Sequence, residues 1–171
     1  MATKKRRISA YDKASMARLA AVQAYYQILQ RAQSPHQVIN QYVLYQLMSD
    51  DYMAQPNVDL FRQLAFDAYA RRDDIKPMIE NSLTAEWRYE RLEMVLKAIL
   101  YVATAEMLNR PTPAPAPVII MEYTRLTSAY YQGKEIAFIN GYLDRLARHL
   151  NYPMQKDDIK DQPETNDTAE K

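Results

Sequence analysis

Between Leu92 and Leu108 the apolar residues Leu92, Met94, Val95, Leu96, Ile99, Leu100, Val102, Ala103 and Met107 fall on almost every side of a helix. A helix without a broad polar face is stable only when other elements surround it, so a helix near Arg91–Leu108 is expected to be the core of the second half of the fold. The apolar run from Leu92 to Ala105 carries Glu93 and Lys97, well short of the roughly 20 predominantly apolar residues that span a bilayer. Only two glycines are present, Gly133 and Gly141, which is poor material for a sheet protein with many tight turns. The fold class is therefore all-α, and a chain of about 150 residues buries roughly two thirds of its unfolded surface without staples.

Helical spacing predicts the other elements. Ala14, Ala17, Ala21, Tyr25 and Ile28 make an apolar stripe from about Tyr11 to Arg31, while Met16, Leu19, Gln23, Tyr26 and Gln30 form an opposite face, neither charged nor plainly apolar. That face suits either a partner or RNA contact, or a helix packed on two sides. Ser34, Pro35 and Gln37 have the pattern of a capping box opening a second helix to about Met48. Val58, Phe61, Leu64, Ala65 and Ala68 mark a third, and Asp73 and Asp74 can start a fourth, with Pro77 limiting how early it begins bonding.

The alternating Pro111, Pro113, Pro115 and Pro117 forbid helix and favour a stiff interhelical strap. Ile119, Tyr123, Leu126 and Tyr130 continue at helical spacing, Gly133 can end that helix in a left-handed cap, and Ile136, Ile139, Leu143 and Leu146 drive a last helix to Leu150. About seven helices are expected, over a single domain at 11–152 with subdomains near 11–72 and 73–152.

The ends differ in charge. Residues 1–18 hold six basic residues against Asp12 alone, whereas residues 155–171 hold three lysines against six acids. Residues 1–10 read as a basic flexible arm and 153–171 as a disordered acidic tail, so attraction for nucleic acid must start from the N-terminal end. KKRR at 4–7 also reads as a plain solubilising tail. The lack of cysteine excludes disulfides and thiolate chemistry and fits a reducing cytoplasm; no apolar stretch follows the basic residues, so no secretory signal is expected.

Catalysis finds little support. His36 and His149 form no metal-binding pair, and no phosphate-binding or dinucleotide glycine loop exists, so neither metal nor cofactor is expected. The pairs Asp50–Asp51, Asp73–Asp74 and Asp157–Asp158 are neighbours that face different ways on a helix; a small hydrolase using one of them is the weakest reading.

Three blocks, taken in order, carry a resemblance: ARLAAVQAYYQ from Ala17, WRYERLEMVLKAILYVATAEM from Trp87, and VIIMEYTRLTSAYYQGKEIAFINGYLDRLARHL from Val118, whose FINGYLD segment is expected to open the last helix. Together they resemble the NusB family of bacterial transcription antitermination factors across roughly residues 14–150. The resemblance implies a cytoplasmic, non-enzymatic protein that binds boxA-type single-stranded RNA with NusE, a small-subunit ribosomal protein, within the RNA polymerase antitermination complex, as monomer or homodimer. The longer RNA methyltransferases with a NusB-like domain are not expected, because no methyl-donor domain follows.

By that resemblance the RNA surface comprises Lys4, Lys5, Arg6, Arg7, Lys13 and Arg18 for phosphate, with Gln23, Tyr26, Phe138 and Asn140 for bases, and the NusE surface includes Glu90, Lys97 and Tyr101. Cations release counterions from phosphates, and unpaired bases are read by stacking and edge hydrogen bonds. Each candidate has a plain structural role beside it: Phe138 and Tyr26 as packing residues, Asn140 as a cap of the last helix, Gly141 as room for close helix packing. Three family positions have become less polar, at Tyr101, Met121 and Ala137. They favour the alternative of a helical interaction module with weakened or lost RNA binding, which the basic arm opposes.

Overall fold

The computed structural model describes residues 8–31, 33–109 and 114–152. Among these, seven α-helices occur and no strand: α1 Ala10–Gln30, α2 Pro35–Gln41, α3 Val58–Ala70, α4 Arg72–Ser82, α5 Met94–Leu108, α6 Ala116–Ser128 and α7 Lys134–His149. The helical class expected from the paucity of glycine is the class observed. The basic residues 1–7, Pro111, Pro113 and the acidic 153–171 lie outside the described residues.

Helix α5 is the hub. It is buried from Leu96 to Met107, save for half-buried Lys97, and packs against α1, α3, α4, α6 and α7. The small residues Ala17, Ala20, Ala21 and Ala24 are fully buried on α1, which lets its backbone approach α3 and α5 closely. One apolar core runs from Ala17 to Tyr152 and includes Tyr25, Phe61, Leu64, Ile75, Ile79, Ile99 and Ile119.

Several helix ends differ from their sequence reading. Helix α1 opens one residue earlier, on a capping box in which the Ser9 hydroxyl accepts from the Asp12 amide at 3.1 Å and the Asp12 carboxylate accepts from the Ser9 amide at 2.8 Å. At α2, Pro35 takes the first position as expected, but the Ser34 hydroxyl makes no cap bond; its carbonyl accepts from Val38 instead. A π-helical turn, Tyr42–Gln46, extends α2. Asn57 caps α3, accepting from the Leu60 amide at 3.0 Å.

Pro77 does not delay α4, which begins at Arg72 and carries the proline exposed in its interior. Pro117 sits inside the first turn of α6, where a missing N–H costs nothing, so the strap stops at Pro115.

Gly133 has φ +77° and ψ −114°, outside the left-handed helical cap. Helix α6 has already ended at Ser128, and Gly133 is the residue from which α7 departs. Gly141 lies within α7, where an added Cβ would meet only the end of the Arg145 side chain at 3.4 Å. Close packing therefore does not require it, contrary to the sequence reading. Gly141→Ala should raise stability by about 1 kcal/mol, the propensity difference in a helix interior. Chemical denaturation would show this as a higher midpoint at unchanged slope, and a lower midpoint would contradict it.

Candidate nucleic-acid interface

Residues 11, 15, 18, 22 and 25 recur every three or four positions, so Tyr11, Ser15 and Arg18 share the face of α1 that turns toward α5 and α6. Arg18 is 4% exposed and forms a bidentate ion pair with Glu106 of α5, Nη2 to Oε1 at 2.6 Å and Nε to Oε2 at 3.0 Å. Glu122 of α6 lies 3.6 Å from Arg18 Nη1, receives hydrogen bonds from Tyr11 and Ser15, and pairs with Arg125 at 3.0 Å. Tyr123 donates to Glu106 at 2.7 Å. Burial opposes the Arg18 charge, but the Glu106 carboxylate outweighs that and holds the guanidinium above its usual range.

This geometry corrects the assignment of Arg18 to RNA phosphate: the guanidinium is committed inward to two carboxylates. A clue was present in the sequence, since Glu106 is the one acid of the largely apolar helix α5 and a buried carboxylate needs a cation.

Among the described residues, the opposite face of α1 borders a recess that Tyr42, Gln46 and Val95 also line. Leu19, Gln23, Tyr26 and Gln30 line this open recess of about 480 Å³, closed on its far side by Tyr52 and Tyr130. Tyr52 donates to Gln23 Oε1 at 2.9 Å, and Gln30 donates to the Tyr26 hydroxyl at 3.3 Å. Gln23 and Tyr26 thus sit where a ligand could touch them, each already oriented by a neighbour.

Phe138 is half-buried rather than sealed in the core. Its ring stacks on Trp87 with centroids 5.1 Å apart and planes 16° apart, and Tyr142 lies behind it at 6.2 Å. Lys134, one turn earlier on the same face of α7, holds its ammonium 5.3 Å from the centroid of the Trp87 ring. Sequence reasoning missed Trp87 and Lys134. The i, i+4 spacing of Lys134 and Phe138 was readable, but the partnership with Trp87 joins segments that only the fold brings together.

Helix α7 starts at Lys134, so FINGYLD occupies its middle and Asn140 cannot cap it. Asn140 is exposed and lines the α6–α7 groove with Met121, Thr124 and Asp144. Two residues along a helix turn roughly 200°, so Asn140 and Phe138 face different directions and the structure does not join them. Lys13 is exposed near the start of α1; Lys4, Lys5, Arg6 and Arg7 lie outside the described residues.

Of the residues assigned to a protein partner, Glu90 is exposed and Lys97 is half-buried with its ammonium 4.6 Å from the Tyr89 ring centroid. Tyr101 is 4% exposed, its ring 5.3 Å from that of Tyr25 and its hydroxyl 2.8 Å from that of Tyr89. This corrects its assignment to the partner surface, because a phenol held between two other tyrosines has no face left to offer. Met121 and Ala137 are exposed.

His36 packs against Phe66, and among the described residues no group of three His, Cys, Asp or Glu could hold a metal ion. No helix among them is long and apolar enough to cross a membrane.

Residues 15–148 match the NusB family. The Transcription antitermination protein NusB of Granulibacter bethesdensis is 35% identical over 141 residues, covering 78% of this chain and 86% of that protein. The fold is similar to T. maritima NusB, with a TM-score of 0.63 at 23% identity over 94% of this chain and 99% of that one. It is also similar to a chain in the crystal structure of a plectonemic RNA supercoil, with a TM-score of 0.66 at 22% identity over 82% of this chain and 96% of that one. The relative is named for antitermination rather than for a reaction. The extent of the match, over the helices just described, places the chain in the NusB family of transcription antitermination proteins.

Proposed function

We propose that this protein binds boxA-type single-stranded RNA together with NusE and so keeps RNA polymerase elongating, notably through ribosomal RNA operons, in the cytoplasm. The observation that carries this reading is the half-buried stack of Trp87 and Phe138 with Lys134 beside it. Aromatic rings that remain partly open, next to a cation, supply the stacking and phosphate contacts that unpaired RNA requires. The α6–α7 turn links this ledge to the open face of α1, because Tyr130 lines the Gln23–Tyr26 recess and the next residue, Tyr131, lines a recess with Trp87 and Lys134.

In this reading Lys4–Arg7 and Lys13 engage phosphate, Gln23 and Tyr26 meet bases along α1, and Phe138 stacks with Trp87. Glu90 and Lys97 belong to the NusE side, and Asn140 makes a separate polar contact from the α6–α7 groove. Residues 11–152 act as one unit, with the arm before it and the acidic tail after it.

Trp87 is the single tryptophan of the chain, so its fluorescence reports on the ledge directly. Adding a boxA-like single-stranded RNA, with and without NusE, should change that emission saturably. Phe138→Ala should cost about 1–3 kcal/mol of RNA affinity, the usual value of one base–aromatic contact. Retained NusE binding without any RNA affinity would instead support an interaction module that has lost RNA.

A further inference from the structure

We propose that the recess between the start of α1, the C-terminal half of α6 and the Met53–Ala54 segment is a binding site for one unstacked base of the single-stranded RNA. This rests on the RNA-binding reading above and adds a subsite to it. The recess measures about 490 Å³, within the range of small-ligand sites and ample for a nucleobase. Its walls are Met16, Leu19, Met53, Leu126 and Ala129. Two thioethers among them give polarisable contact to a flat aromatic face, and Met53 is 83% exposed.

The polar groups of the recess divide in two. Glu122, with its side chain 2% exposed, is already served by Tyr11, Ser15, Arg18 and Arg125, so the floor is satisfied and asks for no further partner. The Asp12 carboxylate is engaged in the capping box. Arg125 differs: its side chain is 58% exposed, and one of its five donors is used on Glu122. That leaves donors at the mouth for a phosphate or a base edge.

Charge complementarity selects the occupant. Ile8 lines the recess, and the seven residues before it carry Lys4, Lys5, Arg6 and Arg7. Seven residues reach at most about 25 Å, so this charge is tethered within that distance of Ile8. A polyanion with detachable flat bases fits an apolar slot approached through cations; a neutral apolar peptide would gain nothing from them. Continuity points the same way, because Leu19 lines both this recess and the one holding Gln23 and Tyr26. A strand that places a base here is aligned to continue along the open face of α1 toward Phe138.

Ala129 is exposed on the rim, so Ala129→Phe fills the recess without entering the core and leaves Trp87 the only tryptophan. With helicity and thermal midpoint unchanged, it should weaken boxA-like RNA roughly 10-fold while the dependence on salt stays the same, since a base and not a phosphate is displaced. Arg125→Gln should lower the salt slope by about 0.7 log units per log unit. On the unaltered chain, a photoreactive 4-thiouridine placed at successive RNA positions should crosslink to Met16 or Met53 from one position. Equal or tighter RNA binding by Ala129→Phe, or crosslinks that never reach those methionines, would overturn the subsite while leaving the broader reading intact. RNA binding kept but NusE binding lost would assign the recess to protein and overturn it too, and no RNA binding by the unaltered chain would remove both.

Discussion

Arg18→Met should lower the midpoint of thermal unfolding by roughly 10 °C, taking about 3–5 kcal/mol for a broken buried ion pair and about 3 °C per kcal/mol for a chain of this size. The substitution preserves much of the side-chain volume, so the loss is chiefly electrostatic. Among the described residues, Glu106 then keeps the Tyr123 hydroxyl and Glu122 keeps Tyr11, Ser15 and a half-exposed Arg125, with no buried cation opposite either. Removing the carboxylate charges as well, in Arg18→Met with Glu106→Gln and Glu122→Gln, should recover much of the loss, because a neutral hydrogen-bonded cluster is cheaper to bury than an uncompensated charge. Circular dichroism melts of the single and triple variants check both statements. A single variant within about 2 °C of the unaltered chain would mean that the network is not closed in solution.

Deleting Met1–Arg7 should give the largest change in RNA affinity and should not unfold α1. Four cations are lost: Lys4, Lys5, Arg6 and Arg7. If each engages one phosphate, the salt slope falls by about 2.8 log units per log unit, so raising salt from about 50 to 200 mM should narrow the affinity gap between full-length and shortened chains by roughly 50-fold. The helix is spared because its capping box, Ser9 with Asp12, starts two residues after the cut. Titration at two salt concentrations measures the slope. An unchanged slope would take the arm out of RNA binding and leave Lys13, Lys134 and Arg125 as the cations to test.

Elements set by local pattern are legible in the amino-acid order itself. The all-round apolar character of α5, the alanine stripe of α1 and the proline opening α2 each follow from contacts within a few residues, and each appears as expected. The misses share a different cause. Arg18 reads as a surface cation until its carboxylate partner, 88 residues away, is folded against it. Tyr101 reads as a replaced surface arginine until Tyr25 and Tyr89 close around it. Trp87 carries no helical periodicity in a short irregular stretch, so nothing local announces that it meets Phe138. Gly133 illustrates an intermediate case: its residue type correctly signals a positive φ, but not which of two adjacent helices it serves. Half of the candidate site, the open face of α1, is legible as an odd mixture of residues; the other half is made by tertiary contact alone.

The reciprocal Ser9–Asp12 pair has an evolutionary consequence. Because the first helix is closed by its own residues, its N-terminal cap does not depend on any residue before Ser9. The leader can therefore gain, lose or rearrange lysines and arginines between lineages without disturbing the bundle, so the strength of attraction for nucleic acid is free to drift or be selected independently of the scaffold that presents it.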